Sequence, residues 1–212
     1  MEKKDRKNFG QIIKSSIFTP IASIDENVAT LKDPKTTFVF AGIISIVIML
    51  TNLISTMFNT VFAKKYDFWT QKYKWDISFS NLDSLNYVDL IFKHLLQYAL
   101  MILCIAGVLY LIVLILKKET SYIKSLGTVS IAIIPNIVLS FAASILGIIW
   151  SPLNLITSAA AVTYTILILS FALKNLIKES SIDKLVFYSV ILVAILKLLN
   201  YIIFTSELFN IF

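Results

Sequence analysis

The sequence predicts an all-α integral membrane protein, a bundle of five transmembrane helices preceded by an amphipathic N-terminal interfacial helix. Three observations lead to this fold class. Hydrophobic residues make up 58% of the chain, charged residues only 15%, and the mean hydropathy is +0.82. The apolar residues form long runs, each near or above the roughly 20 residues that a membrane-spanning helix needs. These runs also lack the alternating pattern of barrel strands, so helices must satisfy the backbone within lipid.

The N-terminal part, residues 1–35, is predicted to be a cytoplasmic amphipathic segment. Its apolar residues recur at helical spacing, at Phe9, Ile12, Ile13, Ile17 and Phe18. This spacing predicts a short helix lying on the membrane surface, interrupted by Pro20. We expect the helix either to anchor the segment to lipid or to dock a partner protein.

The remainder, residues 36–212, is predicted to form the transmembrane domain. Its five spans cover residues 36–63, 88–116, 125–150, 153–173 and 184–204. Pro135 should kink the third span, because proline has no amide hydrogen and its ring clashes with the preceding turn. Small residues at four-residue spacing and the short Ser151-Pro152 connection predict a tight antiparallel hairpin of the third and fourth spans. Before the second span, Trp75 and Ile77 alternate with polar residues, which predicts a short strand.

The distribution of positive charge predicts the orientation. With the N-terminus inside, the cytoplasmic segments carry thirteen Lys and Arg residues, and the outer loops carry four. Because positively charged short loops stay in the cytoplasm, we expect a multi-pass plasma-membrane protein with a cytoplasmic N-terminus and an outer C-terminus. The net charge of +6 then reflects topology and attraction to anionic lipids, and no nucleic-acid partner is expected.

Polar residues within the spans are the candidate functional residues. They fall in the outer halves of spans one and two and on span five, and comprise Asn52, Asn59, Asp89, Lys93, His94, Gln97, Lys197 and Asn200. Ionisable side chains in lipid are costly, so by default they indicate function. The favoured interpretation is that they lie at the membrane interface, where a long side chain such as Lys197 can snorkel to water. The alternative is that they line an outward-facing polar cavity that reaches the Pro135 kink.

The sequence offers no metal site and no catalytic group. Cys104 is the one cysteine, and His94 is the one histidine and lacks a second ligand at a metal-binding spacing. No nucleophile with its base and no glycine-rich phosphate loop is present in the sequence. We therefore expect no metal, no cofactor and no enzymatic activity.

Five spans with a proline-bearing third helix and a small-residue hairpin make the chain similar to the Yip family of membrane proteins. That family tends to carry Gly-Tyr-x-x-x-Pro in the third span, and here residues 130–135 keep the proline without the glycine and tyrosine. Asp33-Pro34 resembles part of the segment before the first span of eukaryotic members. The chain looks closer to the prokaryotic branch. For eukaryotic members the resemblance implies binding of prenylated Rab-type GTPases; for prokaryotic ones it implies a fold without an agreed activity.

Two functions of different class follow. The first is a non-enzymatic membrane scaffold or adaptor that organises the membrane or recruits a protein partner through its N-terminus, with the bundle as anchor and homo-oligomerisation unit. The second is a small transporter, channel or lipid-handling protein that uses the outward-facing polar cavity. Membrane lipids are expected partners in both.

Overall fold

The computed structural model describes residues 8–28, 30–31, 33–67, 72–177 and 181–205. Within these ranges it leaves out the side chains at 25, 64–67, 72, 73, 151, 196, 199, 200 and 202–205. The described chain consists of α-helices, one β-hairpin and a 3-10 helix at Phe79–Ser84. The elements are α1 Phe9–Phe18, α2 Pro20–Val28, α3 Pro34–Val61, β1 Phe62–Asp67, β2 Lys72–Ile77, α4 Tyr87–Ile115, α5 Tyr122–Ala132, α6 Ile134–Ile149, α7 Ser151–Ile177 and α8 Ile182–Thr205.

The described helices form a bundle, and several of them are as long as a membrane is thick. Four candidate spans are long and apolar enough to cross a bilayer, namely α3, α4, α5 with α6, and α7 from Pro152. They coincide with the first four predicted spans, which confirms a helical membrane protein. The fifth predicted span coincides with α8, whose 24 residues give it a length of about 36 Å.

Local side chains explain where the long helices begin. At α3, the Asp33 carboxylate accepts a hydrogen bond from the Thr36 amide at 2.9 Å, and Pro34 occupies the first turn. Asn86 caps α4 in the same way, and Ser121 caps α5.

The bundle has two ends. The end where α3, α5 and α8 begin is called the α1–α2 end below, and the opposite one the β-hairpin end.

Helix contacts define a ring. α3, α4, α8, α7 and α6 each pack against the next, and α6 packs back against α3. α5 contacts α3, α4 and α7 and fills the interior toward the α1–α2 end. Every residue from Ser125 to Pro135 is buried. The third apolar segment therefore has two parts. α5 lies in the interior of the bundle, and α6 is one of the helices that form the ring.

The N-terminal helices pack against the bundle, whereas the sequence predicted a helix at the membrane surface. α1 contacts α5 and α6, and α2 contacts α5 and α7. Ile12 and Asn27 have no exposed surface, and the Phe9 ring lies 5.4 Å from that of Phe40 on α3. The apolar face of α1 was read correctly, but helices of the same chain cover it. Residues 1–7, 29 and 32 of the predicted N-terminal segment lie outside the described residues.

The helix is interrupted between α5 and α6, next to Pro135, where the sequence predicts a kink. The Ile133 amide donates to the Val129 carbonyl at 3.0 Å, and the Ile137 amide donates to the Ile133 carbonyl at 3.1 Å. Pro135 has no amide hydrogen to donate to the carbonyl of Ile131, so the ladder of helical bonds is broken there. The break lets α5 and α6 take different positions relative to the ring.

Between α3 and α4 the chain forms an antiparallel β-hairpin. β1 pairs with β2 in a register that places Phe62 opposite Ile77 and Lys64 opposite Trp75. The predicted strand corresponds to β2. β1 was missed because Phe62 and Ala63 continue the apolar run of α3 and were assigned to the first span. The fold is therefore all-α apart from this hairpin and its two short strands.

Candidate ligand cavity

A polar cavity of about 200 Å³ lies inside the ring, between α3, α4, α6 and α8. Its lining residues are Ile48, Thr51, Asn52, Ser55, Tyr98, Met101, Ile133, Asn136, Ile137, Ser140, Phe141, Ser144 and Lys197. Polar side chains thus line a cavity within helices long enough to span a membrane. Such groups are rare in lipid and commonly face a water-filled or ligand-filled space.

The kink positions one wall of this cavity. Ile133 precedes Pro135, Asn136 follows it, and both reach the cavity. Ser140 and Ser144 continue the same wall along α6 at four-residue spacing, which keeps them on one helical face. Because α5 fills the interior toward the α1–α2 end, the cavity begins where α5 ends.

Hydrogen bonds to the helix backbone fix several polar groups of the wall. The Asn52 amide nitrogen donates to the Ile48 carbonyl at 2.9 Å, and the Thr51 hydroxyl donates to the same carbonyl at 2.8 Å. The Ser144 hydroxyl donates to the Ser140 carbonyl at 3.1 Å. These groups retain Asn52 Oδ1, Thr51 Oγ1 and Ser144 Oγ as acceptors, and Asn52 also retains its second amide hydrogen as a donor.

Lys197 supplies the charge. It is the one charged side chain among the described lining residues. It lies fifteen residues into α8, or about 22 Å along a helix. Among the described side chains, no carboxylate forms an ion pair with it, and its side chain is exposed. An ammonium group at such a position attracts an anion.

The structure brings together two of the eight predicted site residues, Asn52 and Lys197. Asn59 lies nearly two turns beyond Asn52, and its amide nitrogen donates to the Ser55 carbonyl at 2.9 Å. Gln97 is fully buried beside Tyr98, which does line the cavity. Asn200 is within α8, but its side chain lies outside the described residues.

The three predicted residues in the first turns of α4 do not line this cavity. Asp89 is exposed in the first turn, and Lys93 is one turn further along. His94 borders a narrow crevice between α3 and α4 with Thr56, and its Nδ1 lies 2.8 Å from the Leu90 carbonyl oxygen. These residues lie apart from the cavity because they are closer to the β-hairpin end than Tyr98 is.

Six polar lining residues were not predicted as site residues, namely Thr51, Ser55, Tyr98, Asn136, Ser140 and Ser144. The sequence carried a signal for three of them. Asn136 directly follows the kink proline, and Ser140 and Ser144 follow it at intervals of four. That pattern was interpreted only as a close-packing surface for the fourth span.

Within the described ranges, no group of three or more His, Cys, Asp or Glu side chains lies in a position to hold a metal ion. The polar cavity is therefore the feature on which a functional assignment rests. No protein-family model, curated protein or solved structure matches this chain.

Proposed function

We propose that this protein is a small membrane transporter or lipid-handling protein that binds a polar ligand in the cavity between α3, α4, α6 and α8. The observation that carries this proposal is the presence of Lys197, Asn52 and Asn136 around one cavity inside an apolar helix bundle. Polar side chains in a membrane-spanning bundle commonly mark a substrate or ion pathway. A discontinuous helix at the site, here α5 and α6, is also a recurrent feature of transporter binding sites.

The proposed topology has five spans, with α8 as the fifth. The thirteen Lys and Arg residues of the segments at the α1–α2 end favour a cytoplasmic location for that end in the plasma membrane. The β-hairpin end and the C-terminus then face outward. In this orientation the cavity lies in the outer half of the bundle, with α5, α1 and α2 between it and the cytoplasm.

The proposed activity is binding and movement of a ligand, without catalysis, metal or cofactor. A bundle of this size would form the pathway alone or as a homo-oligomer. The resemblance to the Yip family remains a prediction, and the kink at Pro135 is the feature of the structure that agrees with it.

The scaffold function stays as a second candidate, because the turn between α1 and α2 is apolar and exposed. Phe18 is 74% exposed and Ile21 is 44% exposed. In a scaffold this turn would anchor the protein in the membrane or dock a partner protein. It belongs to the predicted interfacial segment, and the bundle leaves it uncovered. A scaffold needs this turn, whereas a ligand-binding protein needs the cavity.

The experiment that tests the proposed function fills the cavity. Ser140 is exposed to the cavity on α6, and Ser158 is exposed on α7 outside it. Native mass spectrometry of protein released from lipid nanodiscs, with wild type, Ser140→Phe and Ser158→Phe, would report retained ligands and the oligomeric state. We expect Ser140→Phe to lose a ligand that Ser158→Phe keeps. If both variants retain the same species as wild type, the cavity is not the binding site.

Phe18→Ser tests the second candidate in the same preparation. A scaffold that docks a partner through the turn would lose that partner in Phe18→Ser and keep it in Ser140→Phe. The opposite pattern, with ligand loss in Ser140→Phe alone, favours the cavity.

A further inference from the structure

We infer that the cavity ligand is a small anion that also carries hydrogen-bond donors, such as a glycerophosphate group, either free or as the headgroup of an anionic phospholipid. This inference rests on the proposed function and names the chemical class of the ligand. It follows from three properties of the cavity: its charge, the hydrogen-bonding state of its wall, and its size and access.

The charge of the cavity is a single uncompensated cation. The lining residues include Lys197 and, among those described, no aspartate or glutamate. An ammonium group inside a membrane is stabilised by a counter-ion. The nearest acidic residue before Lys197 on α8 is Asp183, in the first turn at the opposite end of the helix. A ligand with a negative group would therefore supply the charge that the described residues do not place there.

The α3 and α6 walls of the cavity present acceptor oxygens. Thr51 and Ser144 use their hydroxyl hydrogens on helix carbonyls, and Asn52 uses one of its two amide hydrogens in the same way. Thr51 and Ser144 then present acceptor oxygens only, and Asn52 presents its carbonyl oxygen and one remaining N–H. An anion without hydroxyl groups would leave these acceptor oxygens without a donor. An anion with hydroxyl groups pairs with Lys197 and also donates to the acceptor oxygens.

The size of the cavity suits a headgroup. Its volume of about 200 Å³ corresponds to roughly seven water molecules at about 30 Å³ each. That space accepts a phosphate with a glycerol unit and excludes a whole lipid. The acyl chains of a bound phospholipid would therefore have to remain outside.

A gap between helices supplies the access route. α6 and α8 both line the cavity, but in the described part of the chain they make no extensive contact with each other. Toward the α1–α2 end α8 packs on α7, where the Ser170 hydroxyl donates to Ser189 Oγ at 3.0 Å. Toward the β-hairpin end the described α8 side chains Ala194, Lys197 and Leu198 are exposed. A headgroup can reach Lys197 from this side while its acyl chains stay in lipid.

The test compares lipid retention in four full-length proteins: wild type, Lys197→Met, Lys197→Arg and Lys174→Met. Lys174 is exposed in the last turn of α7 at the opposite end of the bundle, so its replacement removes the same charge away from the cavity. Each protein is reconstituted in phosphatidylcholine nanodiscs with a minor fraction of phosphatidylglycerol. Retained lipid is measured by native mass spectrometry, with and without soluble glycerol 1-phosphate.

We expect wild type, Lys197→Arg and Lys174→Met to retain phosphatidylglycerol or glycerol 1-phosphate selectively, and Lys197→Met to lose this selectivity by about tenfold. If phosphatidylglycerol stays bound in the presence of glycerol 1-phosphate, the ligand is a membrane lipid. Retention of glycerol 1-phosphate in its place identifies a free solute. Equal selectivity in wild type and Lys197→Met, or retention of neutral lipid only, overturns the inference.

Two further variants keep the result interpretable. Lys197→Gln replaces Lys197→Met if the latter fails to fold, as judged by circular dichroism. Ser140→Phe separates this inference from the proposed function. If Ser140→Phe abolishes retention of a ligand whose binding is insensitive to Lys197, the cavity binds a ligand and the anionic class is wrong. If neither substitution changes retention, both the inference and the proposed function fail.

Discussion

Gly147 and Asn154 lie so close together that a side chain at residue 147 would collide with residue 154. A Cβ atom built on Gly147 would be 2.8 Å from Asn154 Cβ and 3.0 Å from its amide nitrogen. These residues flank the turn that joins α6 and α7, and Ala143 and Ala161 are buried on the same two helices. The close approach that the small residues predicted is therefore confirmed.

Gly147→Ala should destabilise the bundle. The added methyl group has to displace Asn154 Cβ, and such overpacking typically costs about 1–3 kcal/mol. The measurement is the free energy of unfolding from SDS titration in mixed micelles. Gly42→Ala is the matched control, because no atom lies within 4 Å of its added Cβ. We expect that control to be neutral or to stabilise by up to about 1 kcal/mol, since alanine favours helix more than glycine does. Equal effects at the two positions would contradict the steric account.

A second prediction concerns the buried hydrogen bonds between α1 and α2. The Asn27 amide nitrogen donates to Ser15 Oγ at 3.0 Å and to Ser23 Oγ at 2.8 Å, and Ser16 and Ser23 share a hydrogen bond at 2.7 Å. Asn27→Ala should lower the stability of this pair of helices by about 1–3 kcal/mol, because it removes two hydrogen bonds that each contribute about 0.5–1.5 kcal/mol.

Hydrogen exchange over residues 9–28 is the readout for Asn27→Ala, and we expect it to become faster there and remain unchanged in α4. Thr163→Ala is the control, because its exposed hydroxyl bonds only to the Ala159 carbonyl of its own helix. A double-mutant cycle of Asn27→Ala with Ser15→Ala should give a coupling of about 0.5–1.5 kcal/mol. A coupling of zero would mean that this hydrogen bond does not hold α1 to α2.

The third prediction tests whether the proline causes the kink. Pro135→Ala restores an amide that can donate to the Ile131 carbonyl, so the helix should straighten. The distance between spin labels at Lys124 and Ile149, both exposed, should increase toward the roughly 38 Å of a straight helix. Straightening should also narrow the cavity and reduce ligand retention. Pro152→Ala is the control, because proline in the first turn of α7 breaks no helical bond. An unchanged distance in Pro135→Ala would assign the kink to the packing of neighbouring helices.

The fourth prediction concerns the end of α4. Lys117 adopts a left-handed backbone with φ of 55°, and the Lys118 amide donates to the Val113 carbonyl at 3.2 Å to close the helix. A left-handed conformation costs a residue with a Cβ about 1–2 kcal/mol, and glycine avoids this cost. Lys117→Gly should therefore raise the free energy of unfolding by about 1 kcal/mol. Lys118→Gly should not raise the free energy of unfolding. A loss of stability in Lys117→Gly would show that the lysine side chain contributes more to stability than the backbone conformation does.

The sequence predicted the membrane bundle because the physical signal is strong and local. Apolar runs of spanning length set the positions of α3, α4, α7 and α8, and Pro135 marked the kink through its missing amide. The environment of α1 could not be predicted in this way. Periodicity at Ile12 and Ile17 shows that one face is apolar, but lipid, a partner protein and α5 are equally suitable covers for such a face.

The candidate site was predicted in part for a related reason. Asn52 and Lys197 stood out because they interrupt apolar runs, and both do line the cavity. Asp89 and His94 interrupt an apolar run equally well, yet rotation about α4 and distance along it place them elsewhere. Which polar residues share a cavity depends on how helices rotate and tilt against each other, and a hydropathy pattern contains no such information.

The contact of α2 with α7 also constrains the order in which the protein forms. Residues 20–28 leave the ribosome before α7, which ends at Ile177. At about 5–20 residues per second, Ile177 follows Val28 by roughly 7–30 seconds. Throughout that interval α2 lacks its contact with α7, and the N-terminal helices would remain at the membrane surface or with a chaperone. The surface location that the sequence predicted for this segment would then describe its state during synthesis.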